Sequence, residues 1–95
     1  MLGLSVTPLT DELRTQLGFD KKVKGLLVTA IDPDSPAAGK NLKLGDVIVE
    51  AQQNPIATVE DLNAALEKVK KANGRQVLML VEDSKGDTRF VALPL

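Results

Sequence analysis

Turn-forming residues divide this chain of 95 residues into short segments, and only one segment has apolar residues at helical spacing over more than two turns. Proline, glycine, asparagine and aspartate interrupt the apolar pattern at Pro8, 32–34, 54–55, 73–74 and 84–87. These residues favour turns because proline fixes its own backbone, while glycine and asparagine tolerate left-handed conformations. The spacing therefore predicts a small β-rich domain with one main helix and one or two short ones.

Most segments between these turns have strand patterns. The predicted strands are 2–7, 25–31, 47–51, 77–81 and 88–93. In the first, Leu2, Leu4 and Val6 alternate with small or polar residues, which is typical of a half-buried strand. The apolar run 77–81 has no such alternation and indicates a central strand.

The last predicted strand follows a hairpin turn at 84–87 and carries Phe90, Val91 and Leu93. We expect this strand to be an integral part of the fold, with its large apolar side chains buried.

The main helix is predicted over Val59–Lys71, because apolar residues recur there at helical spacing. Thr58 and Asp61 resemble a capping box, with aspartate in place of the usual glutamate. A short helix is predicted between Thr10 and Gly18 from its cap residue, early acids and terminal glycine. Another is predicted at 37–40, where Ser35 would cap the helix and a proline would open it.

Composition argues against several functions. The chain has neither cysteine nor histidine, so it lacks the usual metal ligands, a thiol nucleophile and the base of a catalytic triad. Ser5, Ser35 and Ser84 therefore have no histidine to activate them. The net charge is −1 and the only aromatics are two phenylalanines, unlike a nucleic-acid-binding surface. We expect no catalytic residue, metal, cofactor, nucleic-acid partner or membrane span.

Two motifs carry a more specific signal. The sequence D-S-P-A-A occupies 34–38, and L-G-D-V-I occupies 44–48. Together they resemble the central signature of PDZ domains. The resemblance implies an α+β fold, a small and partly open β-barrel or sandwich of five to six strands with one long and one or two short helices. Asn41 stands near the place where the family usually has a glycine, and asparagine tolerates the left-handed conformation of such a turn.

Element order refines the resemblance. The glycine-containing loop comes first and a hairpin strand comes last, which resembles the circularly permuted PDZ domains of bacterial proteases. The stretch 2–18 with the strand 25–29 is similar to PDZ domains, especially the second, of HtrA/DegP-like serine proteases. We therefore expect 1–95 to be a single PDZ domain, monomeric when isolated. Since it opens directly on a strand without a signal peptide, we expect a fragment of a larger protein. The resemblance to HtrA/DegP-like proteases implies that this larger protein is periplasmic.

The resemblance also implies a peptide site. A glycine lets neighbouring amides crowd together and hold an anion, so Leu2, Gly3 and Leu4 would bind a terminal carboxylate. The groove would be lined by Ser5, Val6, Val59, Asn63 and Leu66. Simpler interpretations stay open, because the glycine could lie in an ordinary edge strand, the apolar helix residues could be core, and the asparagine could be solvated.

Three functions are compatible with these observations. The first is a module that binds C-termini or extended unfolded segments by strand addition, and so tethers substrates or regulates a separate protease domain. The second is a structural module that docks on neighbouring protease and PDZ domains to build an oligomer. The third, a small enzyme, is disfavoured by the missing histidine and cysteine.

Overall fold

A computed structural model describes residues 3–39 and 42–94. Along the chain the elements are β1 (Leu4–Pro8), α1 (Asp11–Leu17), β2 (Leu26–Ile31), a 3-10 helix (Pro36–Gly39), β3 (Val47–Ala51), β4 (Asn54–Pro55), α2 (Val59–Lys71), β5 (Gln76–Glu82) and β6 (Thr88–Pro94). The six strands form one antiparallel sheet in the order β1-β2-β3-β5-β6, with β4 paired to β3. The α+β architecture, the loop-first order and the closing hairpin are confirmed.

Local sequence signals account for both helices. The Thr10 hydroxyl accepts a hydrogen bond from the amide of Leu13 at 3.2 Å, and Gly18 ends α1 in the left-handed conformation. In α2 the capping box is complete, because Thr58 Oγ1 accepts from the Asp61 amide at 3.1 Å and Asp61 Oδ2 accepts from the Thr58 amide at 3.2 Å.

Both faces of the sheet bury apolar side chains, in two separate clusters. Consecutive residues of a strand point to opposite faces, so Leu26 belongs to one cluster and Leu27 to the other. The larger cluster lies under α2, and the smaller one lies under the α1 region, where it includes Phe19.

The sheet face that carries the smaller cluster is only partly covered. Leu78 and Phe90 are 39% and 66% exposed. Phe90 pairs with Leu80, so these side chains lie on the sheet face opposite to the buried Val91. The expectation that β6 buries all of its large apolar side chains was therefore wrong for Phe90.

A buried carboxylate links the centre of the chain to its last strand. Asp46 is 3% exposed, accepts a hydrogen bond from the Lys43 amide at 2.8 Å and forms an ion pair with Arg89 of β6. A buried charge is costly unless it is paired, so this contact holds the turn before β3 to the closing hairpin.

The short helix after the second strand differs in detail from its prediction. It is a 3-10 turn over Pro36–Gly39, and the Ser35 hydroxyl donates to the carbonyl oxygen of Asp32 at 2.7 Å instead of capping the helix. The expected turn at Asn41 lies outside the described residues.

Candidate functional site

The candidate site lies at one edge of the sheet. The strand β1 pairs with β2 and, among the described residues, has no strand on its other side. The helix α2 lies against β1 there. Because an edge strand presents unpaired backbone groups, this side of β1 offers a template for an added strand beside a helix.

The loop that leads into β1 has an unusual backbone. Gly3 has φ 78°, a left-handed conformation that side chains other than glycine adopt rarely. The only backbone hydrogen bond that it makes with another described residue is the one its carbonyl accepts from the Asp32 amide, at 2.8 Å. Its amide is thus not committed to a described partner. Leu2 lies outside the described residues.

Side chains of β1 alternate between the core and the surface. Leu4 is buried in the larger cluster and Val6 packs against it partly buried, whereas Ser5 is exposed. The carbonyl of Ser5 accepts from the hydroxyl of Thr29 at 3.1 Å, where the pairing of β1 with β2 is irregular. A bulge of this kind bends and twists an edge strand locally.

The three groove residues predicted on α2, Val59, Asn63 and Leu66, differ in how deeply they are buried. Leu66 is 7% exposed, Val59 is partly buried against the same cluster as Leu4, and Asn63 is exposed. Leu66 therefore contributes to the core, as the simpler interpretation allowed, and burial alone does not separate it from its neighbour Ala65. The structure brings Leu4, Val6, Val59 and Leu66 around one cluster, with Asn63 above it on the helix surface.

Charged side chains stabilise both ends of α2, the helix that lies beside β1. Hydrogen bonds from the amides of Ala57 and Thr58 to the Asp61 carboxylate lower its pKa below the ordinary value, outweighing the opposing effect of desolvation. At the other end of the helix, three lysines (Lys68, Lys70 and Lys71) face the negative end of the helix dipole. Both arrangements stabilise α2, which forms the wall of the site.

Other site types find no support in the described part of the chain. There, no group of three or more acidic side chains is arranged to hold a metal ion. Within residues 3–39 and 42–94, none of the helices has the length and apolarity needed to span a membrane.

A family model described as "PDZ domain" matches residues 1–89. The chain belongs to the PDZ domain family. A PDZ domain is a binding module and not a catalytic one, so family membership confirms the expected non-catalytic character of this domain.

Sequence relatives of this PDZ domain include proteins named probable periplasmic serine endoprotease DegP-like. The protein from Brucella suis biovar 1 (strain 1330) is 38% identical over 93 residues, which are 98% of this chain and 16% of the relative. The protein from Chlamydia pneumoniae is 34% identical over 93 residues, which are 97% of this chain and 18% of the relative. The chain thus spans about a sixth of the length of these relatives, and the expected resemblance to DegP-like proteases is confirmed.

Solved structures show the same fold. The PDZ domain of HtrA3 bound to a phage-derived ligand (FGRWV) matches with a TM-score of 0.78 at 19% identity, over 99% of this chain and 82% of that chain. The HtrA-type protease AlgW with a decapeptide matches with a TM-score of 0.77 at 24% identity, over 99% of this chain and 28% of that chain.

Sequence reasoning missed how the PDZ glycine loop is supported. A Cβ added at Gly3 would lie 2.2 Å from Ser35 Cβ and 2.3 Å from Ser35 Oγ, so the loop packs directly on the turn 32–35. In the sequence, only the D-S-P motif marked that turn, and it indicated the fold without indicating a contact with the glycine loop.

Proposed function

We propose that this PDZ domain binds the C-terminus or an extended unfolded segment of another protein by strand addition to β1. The observation that carries the proposal is the arrangement of β1, an edge strand that starts at a left-handed glycine loop and lies beside α2. Backbone hydrogen bonds to such an edge give affinity, and neighbouring side-chain pockets give selectivity.

The orientation of the peptide follows from the position of the loop. A carboxylate held by the backbone amides of Leu2, Gly3 and Leu4 lies at the start of β1, so the rest of the peptide extends along β1 towards its end and runs antiparallel to it. Strand pairing would stop at Pro8, which lacks an amide hydrogen.

Side chains around the groove would then select the ligand. The last apolar side chain of the peptide would contact Leu2, Leu4 and Leu66. Further along, Ser5, Val6, Val59 and Asn63 would meet the preceding residues. The fold likeness to the HtrA3 PDZ domain bound to a phage-derived ligand and to the HtrA-type protease AlgW with a decapeptide supports a peptide as the ligand.

In a longer HtrA-type protein, this binding would tether unfolded substrates or report exposed C-termini to a separate protease domain. The names of the sequence relatives support a periplasmic location and a serine endoprotease as the host. Peptide ends become accessible when proteins unfold, so a module of this kind suits protein quality control.

A second candidate is the docking module. The exposed Leu78 and Phe90 favour it, because apolar side chains on one bare sheet face are typical of an interaction surface. In this case the partner would be a neighbouring protease or PDZ domain of the same longer protein.

A pair of peptides separates these functions. One apolar-ended peptide is made with a free carboxylate and with a C-terminal amide, and binding to the isolated domain is measured by calorimetry, since the chain has no tryptophan or tyrosine. Hydrogen bonds to a charged group are worth about 1.5–3 kcal/mol, so the amide should bind roughly ten- to a hundredfold more weakly. Equal affinities would contradict the carboxylate site, and no binding across a broad panel would favour the docking module.

A further inference from the structure

The glycine loop at the start of β1 is attached to the turn 32–35 at two points. The carbonyl of Gly3 accepts a hydrogen bond from the Asp32 amide at 2.8 Å. The side chain of Ser35 fills the space beside Gly3 in which any other side chain would have to stand. The backbone of the loop therefore packs against the side chain of Ser35 and is not exposed to solvent on that side.

Ser35 is in turn held in one position. Its hydroxyl donates to the carbonyl of Asp32 at 2.7 Å, and its amide donates to the same carbonyl at 3.0 Å. The turn is closed further by the Asp34 amide, which donates to Asp32 Oδ1 at 2.9 Å. Directly after it, Ala37 is 1% exposed, so the turn is anchored in the core.

Two other turns of the chain have the same pair of hydrogen bonds, in which an aspartate accepts from the amides two and three residues later. Comparing them shows which feature is particular to the turn 32–35. In the turn that begins at Asp83, the Lys85 amide donates to Asp83 Oδ1 at 2.9 Å and the Gly86 amide donates to the Asp83 carbonyl at 3.0 Å. The turn that begins at Asp20 has the same two bonds, from Lys22 at 2.9 Å and Val23 at 3.1 Å. Of the three, the turn at Asp32 is the one that places a side chain against the glycine loop.

We propose that Ser35 is a positioning residue for carboxylate capture, because it holds the left-handed backbone of Gly3 in the conformation that a terminal carboxylate needs. The proposal rests on the proposed peptide-binding function. A glycine without this support samples many backbone conformations, and ordering them on binding reduces affinity. The motif that identifies the fold thus also prepares the ligand site.

The test is the ratio of affinities for the free-acid and amide forms of one apolar-ended peptide. Ser35→Gly removes the side chain beside Gly3 and should reduce this ratio roughly two- to tenfold, with the affinity for the amide nearly unchanged. Ser35→Ala keeps the Cβ and loses only the hydroxyl, so its ratio should lie between those of the wild type and Ser35→Gly. A general loss of stability would lower both affinities together and leave the ratio unchanged.

Ser84→Gly is the control, since it makes the same serine-to-glycine change in the turn that begins at Asp83, away from the loop, although at the second position of that turn and not at the fourth. It should keep the wild-type ratio, and thermal melts should show that all variants fold. A wild-type ratio in folded Ser35→Gly overturns the positioning role. If that variant does not fold, a wild-type ratio in folded Ser35→Ala does the same. A wild type that binds acid and amide equally contradicts the carboxylate site, and a wild type that binds no peptide contradicts the proposed function. Both results are distinct from a failure of the positioning role of Ser35.

Discussion

The strands β1 and β6, at the two ends of the strand order, are built differently. β6 pairs with β5 along all seven of its residues in an unbroken register, whereas β1 pairs with β2 over five residues with an irregularity between Ser5 and Val6. The 3-10 helix lies against β6, which ends at Pro94. β1 instead lies beside α2 and begins at the glycine loop.

This difference indicates which edge can accept another strand. Both strands end in a proline and lie against a helical segment, so these two features do not distinguish them. The left-handed glycine loop and the irregular pairing are found at β1 and not at β6. The helix α2 lies against β1, so a strand added at this edge would lie beside the helix. We infer that β6 serves the stability of the domain and β1 serves its binding.

Removal of residues 88–95 should have the largest effect, because it deletes the structural edge. Val91 and Leu93 are 3% and 1% exposed, and burial of such side chains is worth about 1.5–3 kcal/mol each, against roughly 5–15 kcal/mol for a whole domain. The truncated chain should show no cooperative thermal melt. A melt close to that of the full chain would show that β6 is dispensable.

Two substitutions in β6 test whether the strand stabilises the domain through its buried side chains. Val91→Ala should lower the free energy of unfolding by roughly 1–3 kcal/mol, whereas Phe90→Ala, at an exposed position, should change it by less than about 0.5 kcal/mol.

An intermediate effect on stability is expected at α2, the helix that lies beside β1. Asp61→Asn weakens the two amide hydrogen bonds that the carboxylate accepts at the start of α2, and should lower the melting temperature at neutral pH. Since folding lowers the pKa of Asp61, its stabilising contribution is present above the ordinary aspartate pKa of about 3.9 and is lost as the pH falls through the lowered value.

The difference in melting temperature between wild type and Asp61→Asn should therefore shrink on acidification. Glu60→Gln is the control, because it removes a charge from the same helical turn outside the capping box. A difference that stays constant down to about pH 2 would show that the carboxylate charge is not what stabilises this turn.

The smallest effect on stability is expected at Asn63. Asn63→Leu should change the free energy of unfolding by less than about 0.5 kcal/mol, since the residue is exposed, yet alter the order in which a peptide panel binds. Ala64→Leu is the control, because Ala64 is also exposed but lies on the side of α2 that faces Asn54 and Pro55. An unaltered order for Asn63→Leu would place that residue outside the groove.

Most of the fold was predictable because its signals are local. The capping box of α2, the alternation in β1 and the hairpin before β6 each lie within a few residues of sequence. The two-residue β4 was missed and interpreted as a turn. It forms because Gln52 and Gln53 adopt left-handed conformations, with φ 53° and 67°, for which glutamine gives no sequence signal.

The support of the site could not be predicted for a physical reason. The contact between Gly3 and Ser35 joins parts of the chain that are distant in sequence, and neither residue alone indicates it. The exposure of Phe90 follows from alternation, since Phe90 and Val91 cannot face the same side, but the sequence does not tell which face stays uncovered.

The ion pair between Asp46 and Arg89 has a consequence for the order of events on the ribosome. The two residues are 43 positions apart, and Arg89 belongs to β6, which is synthesised after the other described strands of this domain. At a translation rate of about 5–20 residues per second, Arg89 is synthesised roughly 2–9 s after Asp46. We therefore expect the nascent domain to stay open at the turn before β3 until its final strand emerges, and to complete its core only close to the end of its own translation.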